Sequence, residues 1–102
     1  MGGTVPPMQG GWVYIMSNQP NGTLYVGVTA DLGRRVHEHL NGGGSVFVKR
    51  YGLHRLVWFE RHEDILAAIQ REKRLKDWNR AWKVRLIHRD NPGWRDLYPE
   101  II

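Results

Sequence analysis

The chain has no cysteine among its 102 residues. Disulfides, catalytic thiolates and zinc–thiolate centres are therefore excluded. No apolar run approaches the length of a membrane span or of a signal-peptide core, so the expectation is a cytoplasmic protein without membrane contact. Acidic residues are in deficit: 10 Asp and Glu stand against 15 Lys and Arg, for a formal net charge of +5 and a pI of about 10.0. A small domain of that charge suits a polyanionic partner, nucleic acid above all. Internal repeats and dividing linkers are also lacking, and the length suits one domain with a modest core.

What is present begins after a Gly- and Pro-rich lead, residues 1–10, expected to be flexible, with Met8 as an alternative start. Two runs rich in β-branched and aromatic residues follow, Trp12 to Ser17 and Thr23 to Val28 or Thr29. They flank Asn18-Gln19-Pro20-Asn21-Gly22, which has the residues that turns require. This pattern predicts an antiparallel hairpin. Two-residue alternation puts Trp12, Tyr14 and Met16 on one face, and Thr23, Tyr25 and Gly27 on one face. Gly27 is expected to leave room beside Tyr25 for a backbone or a ligand.

Thr29 or Asp31 can cap a helix reaching about Asn41, which Gly42-Gly43-Gly44 ends. Arg35 and His39 share a face of it, four residues apart. Ser45 to Tyr51 reads as either a helical turn or an extended piece. Leu53 to Glu60 or Arg61 has the apolar run of a third strand. A long helix is expected over Ile65 to about Asn79, then a second over Arg80 to His88, ended by Asn91-Pro92-Gly93. The tail keeps Trp94, Leu97 and Tyr98, so it should pack back onto the domain. The expected fold is α+β: a three-stranded antiparallel sheet flanked by helices, in the order β-β-α-β-α-α.

Glu72 lies three residues after Ile69 and three before Leu75, on the inward stripe of the long helix. A charged residue there needs a partner or a metal. A salt bridge to an arginine and a metal ligand both remain open. Arg71, Lys73 and Arg74 are expected to point away from that stripe. Trp78, Trp82 and Trp94 fall at apolar positions and read as core rather than as base-stacking platforms.

Val13-Tyr14-Ile15, Tyr25-Val26-Gly27, Arg35, His39 and Glu72 follow in an order and spacing that resembles the GIY-YIG nuclease superfamily. The excision-repair subunit UvrC and intron-encoded homing endonucleases belong to it. The resemblance is greatest to its small single-domain predicted endonucleases and covers roughly Gly11 to Leu97. It departs in having Trp12-Val13-Tyr14 for Gly-Ile-Tyr and Val26 for Ile.

The resemblance implies a Mg²⁺- or Mn²⁺-dependent endonuclease acting on DNA. It implies that Tyr14 and Tyr25 are the motif tyrosines, one of them taking a proton from water. Arg35 would hold the scissile phosphate, His39 would assist proton transfer and Glu72 would ligate the metal. Arg34, Lys49 and Arg50 are expected to contact the DNA backbone. A domain this small leaves little surface for reading sequence, so DNA structure or a protein partner should direct it. A rival expectation is an inactive nucleic-acid-binding module on the same scaffold, and a third is a structural domain with incidental charge.

Overall fold

The computed structural model describes residues 9–102. The expected flexible lead therefore lies outside the described residues up to Met8. Gln9 is already tied down, because its carbonyl accepts from the Ile65 amide at 3.0 Å.

Strand β1 spans Gly11–Ser17, β2 Leu24–Thr29 and β3 Arg55–His62. They form one antiparallel sheet in the order β2-β1-β3, so the first strand is central. The hairpin turns through Asn21, whose φ of 56° is in the left-handed region. Asparagine tolerates that region. Thr23 belongs to this loop and not to the strand: its amide donates to the Asn18 side chain at 3.0 Å.

Five helices complete the described residues: α1 Leu32–Leu40, α2 Val46–Tyr51, α3 Ile65–Asp77, α4 Arg80–Asp90 and the single turn α5 Tyr98–Ile101. Asp31, Ser45, Asp64 and Asn79 cap the first four, each side chain accepting a backbone N–H of the first turn. The ambiguous stretch after the glycines is therefore helical once its Ser45 cap is in place. Gly52, left-handed at φ 64°, ends it. The Leu53 amide bonds back to Val48, so β3 starts at Arg55 and not at Leu53.

Alternation along β1 divides the core in two. Val13 and Ile15 join Ala68, Leu75, Leu86 and Ile87 beneath α3 and α4. Tyr14 and Met16 join Leu32, Val36, Val48 and Leu97 beneath α1, α2 and the tail. The β1–β3 register slips between Ile15 and Met16, a bulge that turns the consecutive Val57 and Trp58 both toward the α3 side. Gly11 lets α3 approach the sheet, since a side chain there would strike Ile65 and Ala68.

The tail closes the outer side of β3. The Leu97 amide donates to the Leu56 carbonyl at 2.8 Å, and Asp96 accepts from the Leu56 amide at 3.1 Å. Buried Asn91 braces this arrangement, donating to the carbonyls of Val57 at 3.0 Å and Arg95 at 2.9 Å.

Two orientations differ from the sequence expectation. Arg71 points toward the sheet, bonding Glu60 of β3 at 3.0 Å and lying over Trp78. Its long stem crosses from the helix flank to a strand carboxylate. Trp82 is 50% exposed and is not core, whereas Trp94 is buried. Trp82 sits on the outer flank of α4, packed edge-on against Trp78.

Candidate active site

Tyr14 occupies the middle of the central strand, opposite Gly27 of β2. Its ring lies over the glycine so closely that a Cβ at Gly27 would fall on Tyr14 Cζ and Oη. The space expected beside Tyr25 is therefore filled by Tyr14, because directly paired residues of adjacent strands face the same way. The fully buried Tyr14 side chain directs its hydroxyl at His39 Nε2, 2.8 Å away.

The sequence of α1 places the rest. Leu32, Val36 and His39 form its buried face, and Arg35 lies one turn before His39. Arg35 is at the edge of the buried region, its side chain 31% exposed, with Glu38 at 4.0 Å. Gly42 and Gly44 then turn the chain back with φ of 79° and 82°. A Cβ on Gly44 would lie 3.1 Å from His39 Nδ1 and 3.2 Å from Arg35 Nη1, so this glycine lets the loop close over both.

Tyr25 completes the cluster from β2. Its ring lies 6.2 Å from that of Tyr14 and 5.7 Å, edge-on, from that of His39. Phe47 of α2 covers it at 6.1 Å. Phe47 and Gly44 are site residues that the sequence reading missed. The Ser45 cap before Val46-Phe47-Val48 is the signal that could have placed Phe47 on a helix facing the hairpin.

The electrostatics of the corner follow from its burial. Burial pushes the Tyr14 hydroxyl well above the ordinary tyrosine range, aided by Tyr25 and opposed by the Arg35 guanidinium beside it. The Tyr14 hydroxyl in turn, with Tyr25 and Glu38, holds Arg35 more firmly protonated than usual. Burial, then Arg35, lowers the pKa of His39, which is neutral at pH 7. Among the described residues His39 Nδ1 is buried without a hydrogen-bond partner.

The structure thus brings Tyr14, Tyr25, Arg35 and His39 together. Arg34 stands on the rim, its side chain 78% exposed, along a groove of about 450 Å³ that passes Thr29, Asp31 and Arg35. Lys49 and Arg50 are exposed on α2, and Arg50 lies over the Tyr51 ring. Glu72 belongs to the other layer. Its side chain is 14% exposed and pairs with Lys76 at 3.3 Å. Among the described residues no hydrogen bond or ion pair joins Glu72 to the Tyr14 corner.

A sequence profile of the GIY-YIG catalytic domain matches residues 10–85. A UPF0213 protein of Aeromonas salmonicida is 33% identical over 93 residues, covering 91% of this chain and 68% of its own. One from Natronomonas pharaonis is 40% identical over 76 residues, 74% of this chain and 88% of its own. One from Staphylococcus aureus is 37% identical over 81 residues, 78% of this chain and 96% of its own. No solved structure matches the chain. The matched span runs from the start of the hairpin into α4 and includes both tyrosines, the arginine, the histidine and Glu72; the chain belongs to the GIY-YIG catalytic domain family, a family of nucleases.

Proposed function

We propose that this protein is a divalent-metal-dependent endonuclease that hydrolyses DNA phosphodiester bonds, directed by DNA structure or by a partner. The observation that carries this reading is the Tyr14–His39 contact of 2.8 Å with Arg35 beside it. A core tyrosine needs no cationic neighbour and no neutral histidine aimed at its hydroxyl.

The raised pKa of Tyr14 makes free phenolate scarce at neutral pH. Tyr14 therefore acts with His39. Water attacks phosphorus and gives its proton to the Tyr14 oxygen as the Tyr14 proton passes to His39 Nε2. The new P–O bond forms as the bond to the 3′ oxygen breaks, and the leaving oxygen takes a proton from solvent. The Arg35 fork holds two phosphate oxygens and stabilises the charge that grows on them. Tyr25 packs edge-on against His39 and keeps its ring in line.

Glu72, on the α3 side of the sheet and paired with Lys76 rather than with the Tyr14 corner, is the residue that would hold Mg²⁺ or Mn²⁺. Among the described residues no group of three or more His, Asp or Glu side chains is placed to hold a metal ion together. A single carboxylate suits Mg²⁺, which keeps several waters and takes the rest of its shell from phosphate. When bound, the cation would supply positive charge to offset the charge that grows on the phosphate.

The test is incubation with supercoiled plasmid and with branched and flapped DNAs, with and without Mg²⁺ or Mn²⁺. Metal-dependent nicking that Tyr14→Phe reduces at least 100-fold is the expected result. Salt-sensitive DNA binding with no nicking under any metal condition overturns it in favour of a binding module.

A further inference from the structure

The positive charge of this chain is not spread evenly. Residues 65–90 hold eight of the 15 Lys and Arg but three of the 10 Asp and Glu. Their excess of five equals the formal charge of the whole chain, +5, so the remainder, with the Tyr14 corner, is balanced. These residues form α3, α4 and the bend between them, on the face of the sheet opposite Tyr14.

That elbow also carries an aromatic platform. Trp82, Arg85 and Arg89 recur on one stripe of α4 and line an open groove of about 400 Å³ with Trp78. Trp78 is held between the Arg71 guanidinium, 5.3 Å from its ring, and the edge of Trp82 at 5.7 Å. Trp82 itself remains 50% exposed. Arg85 has no ion pair among the described residues, whereas Asp90 holds Arg89 through two contacts of 3.0 and 3.1 Å. An exposed indole on a rigid base, flanked by guanidinium groups and excess positive charge, matches unpaired nucleic acid: the base stacks and the phosphates meet arginine. An acidic helix would want a longer apolar stripe than this groove provides.

We propose that the α3–α4 elbow is a second nucleic-acid contact, at which an unpaired base stacks on Trp82 and Arg85 takes an adjacent phosphate. This deepens the nuclease reading, on which it rests for its biological sense. A duplex arm would lie at the Tyr14 corner. A single-stranded arm would pass round the narrow sheet to the elbow, since three strands span only about 10 Å. A substrate with a duplex-to-single-strand junction would engage both faces.

The experiment is fluorescence anisotropy in EDTA with a labelled oligo-dT strand, a duplex of equal length and poly-glutamate. The intact protein should bind oligo-dT. Trp82→Ala should weaken that binding roughly 10- to 100-fold and leave duplex affinity nearly unchanged. Trp82→Tyr should retain most of it. Arg85→Gln, at an exposed position, should lower the slope of log affinity against log salt by about one. Equal affinity of Trp82→Ala and the parent protein for oligo-dT overturns the proposal, as does Trp82-dependent binding of poly-glutamate at comparable affinity. Should Trp82→Ala not fold, an unchanged salt slope for Arg85→Gln overturns it instead. Cleavage is absent in EDTA, so the two readings fail separately. Nicking without Trp82-dependent binding removes the elbow alone, and Trp82-dependent binding without nicking removes the nuclease alone.

Discussion

Tyr14 and Gly27 face each other across β1 and β2, and the ring of one fills the place where the other lacks a side chain. The Tyr14 hydroxyl is aimed by this pairing. Gly27→Ala must move either the Tyr14 ring or the edge strand. Overpacking of this kind costs about 1–3 kcal/mol. The expected outcome is a lower urea midpoint and a loss of nicking larger than the stability change explains. Combined with Tyr14→Ala, whose own cavity is costly, the stability loss should be smaller than the sum of the two single losses, because the overpacking has gone. A Gly27→Ala protein with full stability would refute the pairing.

The buried corner predicts how stability depends on pH. His39 has a depressed pKa in the fold, so between that value and about 6.5 the unfolded chain binds a proton that the folded one refuses. Its contribution is full above about pH 6.5 and is lost as pH falls below it. Tyr14 works in the other direction. Its raised pKa contributes stability below about pH 10 that is lost as pH rises further. Chemical denaturation at a series of pH values should give a plateau with falling limbs on either side. His39→Gln should flatten the acid limb and Tyr14→Phe the alkaline one. Limbs that neither substitution alters would assign the pH dependence elsewhere.

Arg35→Lys keeps the charge but not the planar fork. Nicking should fall by about 10- to 1000-fold while DNA affinity at low salt changes less than threefold. Equal nicking rates would reduce Arg35 to a point charge. A plasmid assay beside a filter-binding assay measures both.

Glu72→Gln separates a ligand from an ordinary ion pair. Its partner, Lys76, is 53% exposed one helical turn away, and such pairs contribute only a few tenths of a kcal/mol. The melting temperature should therefore hardly move. If the carboxylate holds the cation, nicking should drop by several orders of magnitude, with DNA binding kept or tightened. Full nicking by the folded variant ends the metal assignment.

Much of the architecture was legible in the residues. Asn-Gly between aromatic strands marks the hairpin, and Thr29 or Asp31 and Glu63 or Asp64 mark the helix starts to within two residues, because turn and cap chemistry is local. Arg35 and His39 were legible as a pair for the same reason: four residues on a helix are neighbours whatever surrounds them. What escaped was non-local. Nothing within β2 says that Tyr14 would claim the gap at Gly27, since that depends on the register between strands. Arg71 reaches Glu60 from eleven positions away in sequence, and the apolar stripe of α3 cannot register such a partner. Trp82 looked apolar in a helical pattern, yet the pattern does not say which flank of α4 finds a neighbour. Glu72 was legible as inward-facing, but two faces of a sheet both count as inward.

The tail along β3 sets an order of events as the protein is made. Leu56 waits for Asp96, 40 residues later in the chain, and for Leu97 before its outward backbone groups are bonded. On the ribosome, at about 5–20 residues per second, that interval lasts seconds. Meanwhile the growing chain presents a ready-made template for strand addition by a stranger. Arg55 and Arg61 flank the apolar centre of β3, and charges so placed disfavour pairing between neighbouring chains until the tail arrives.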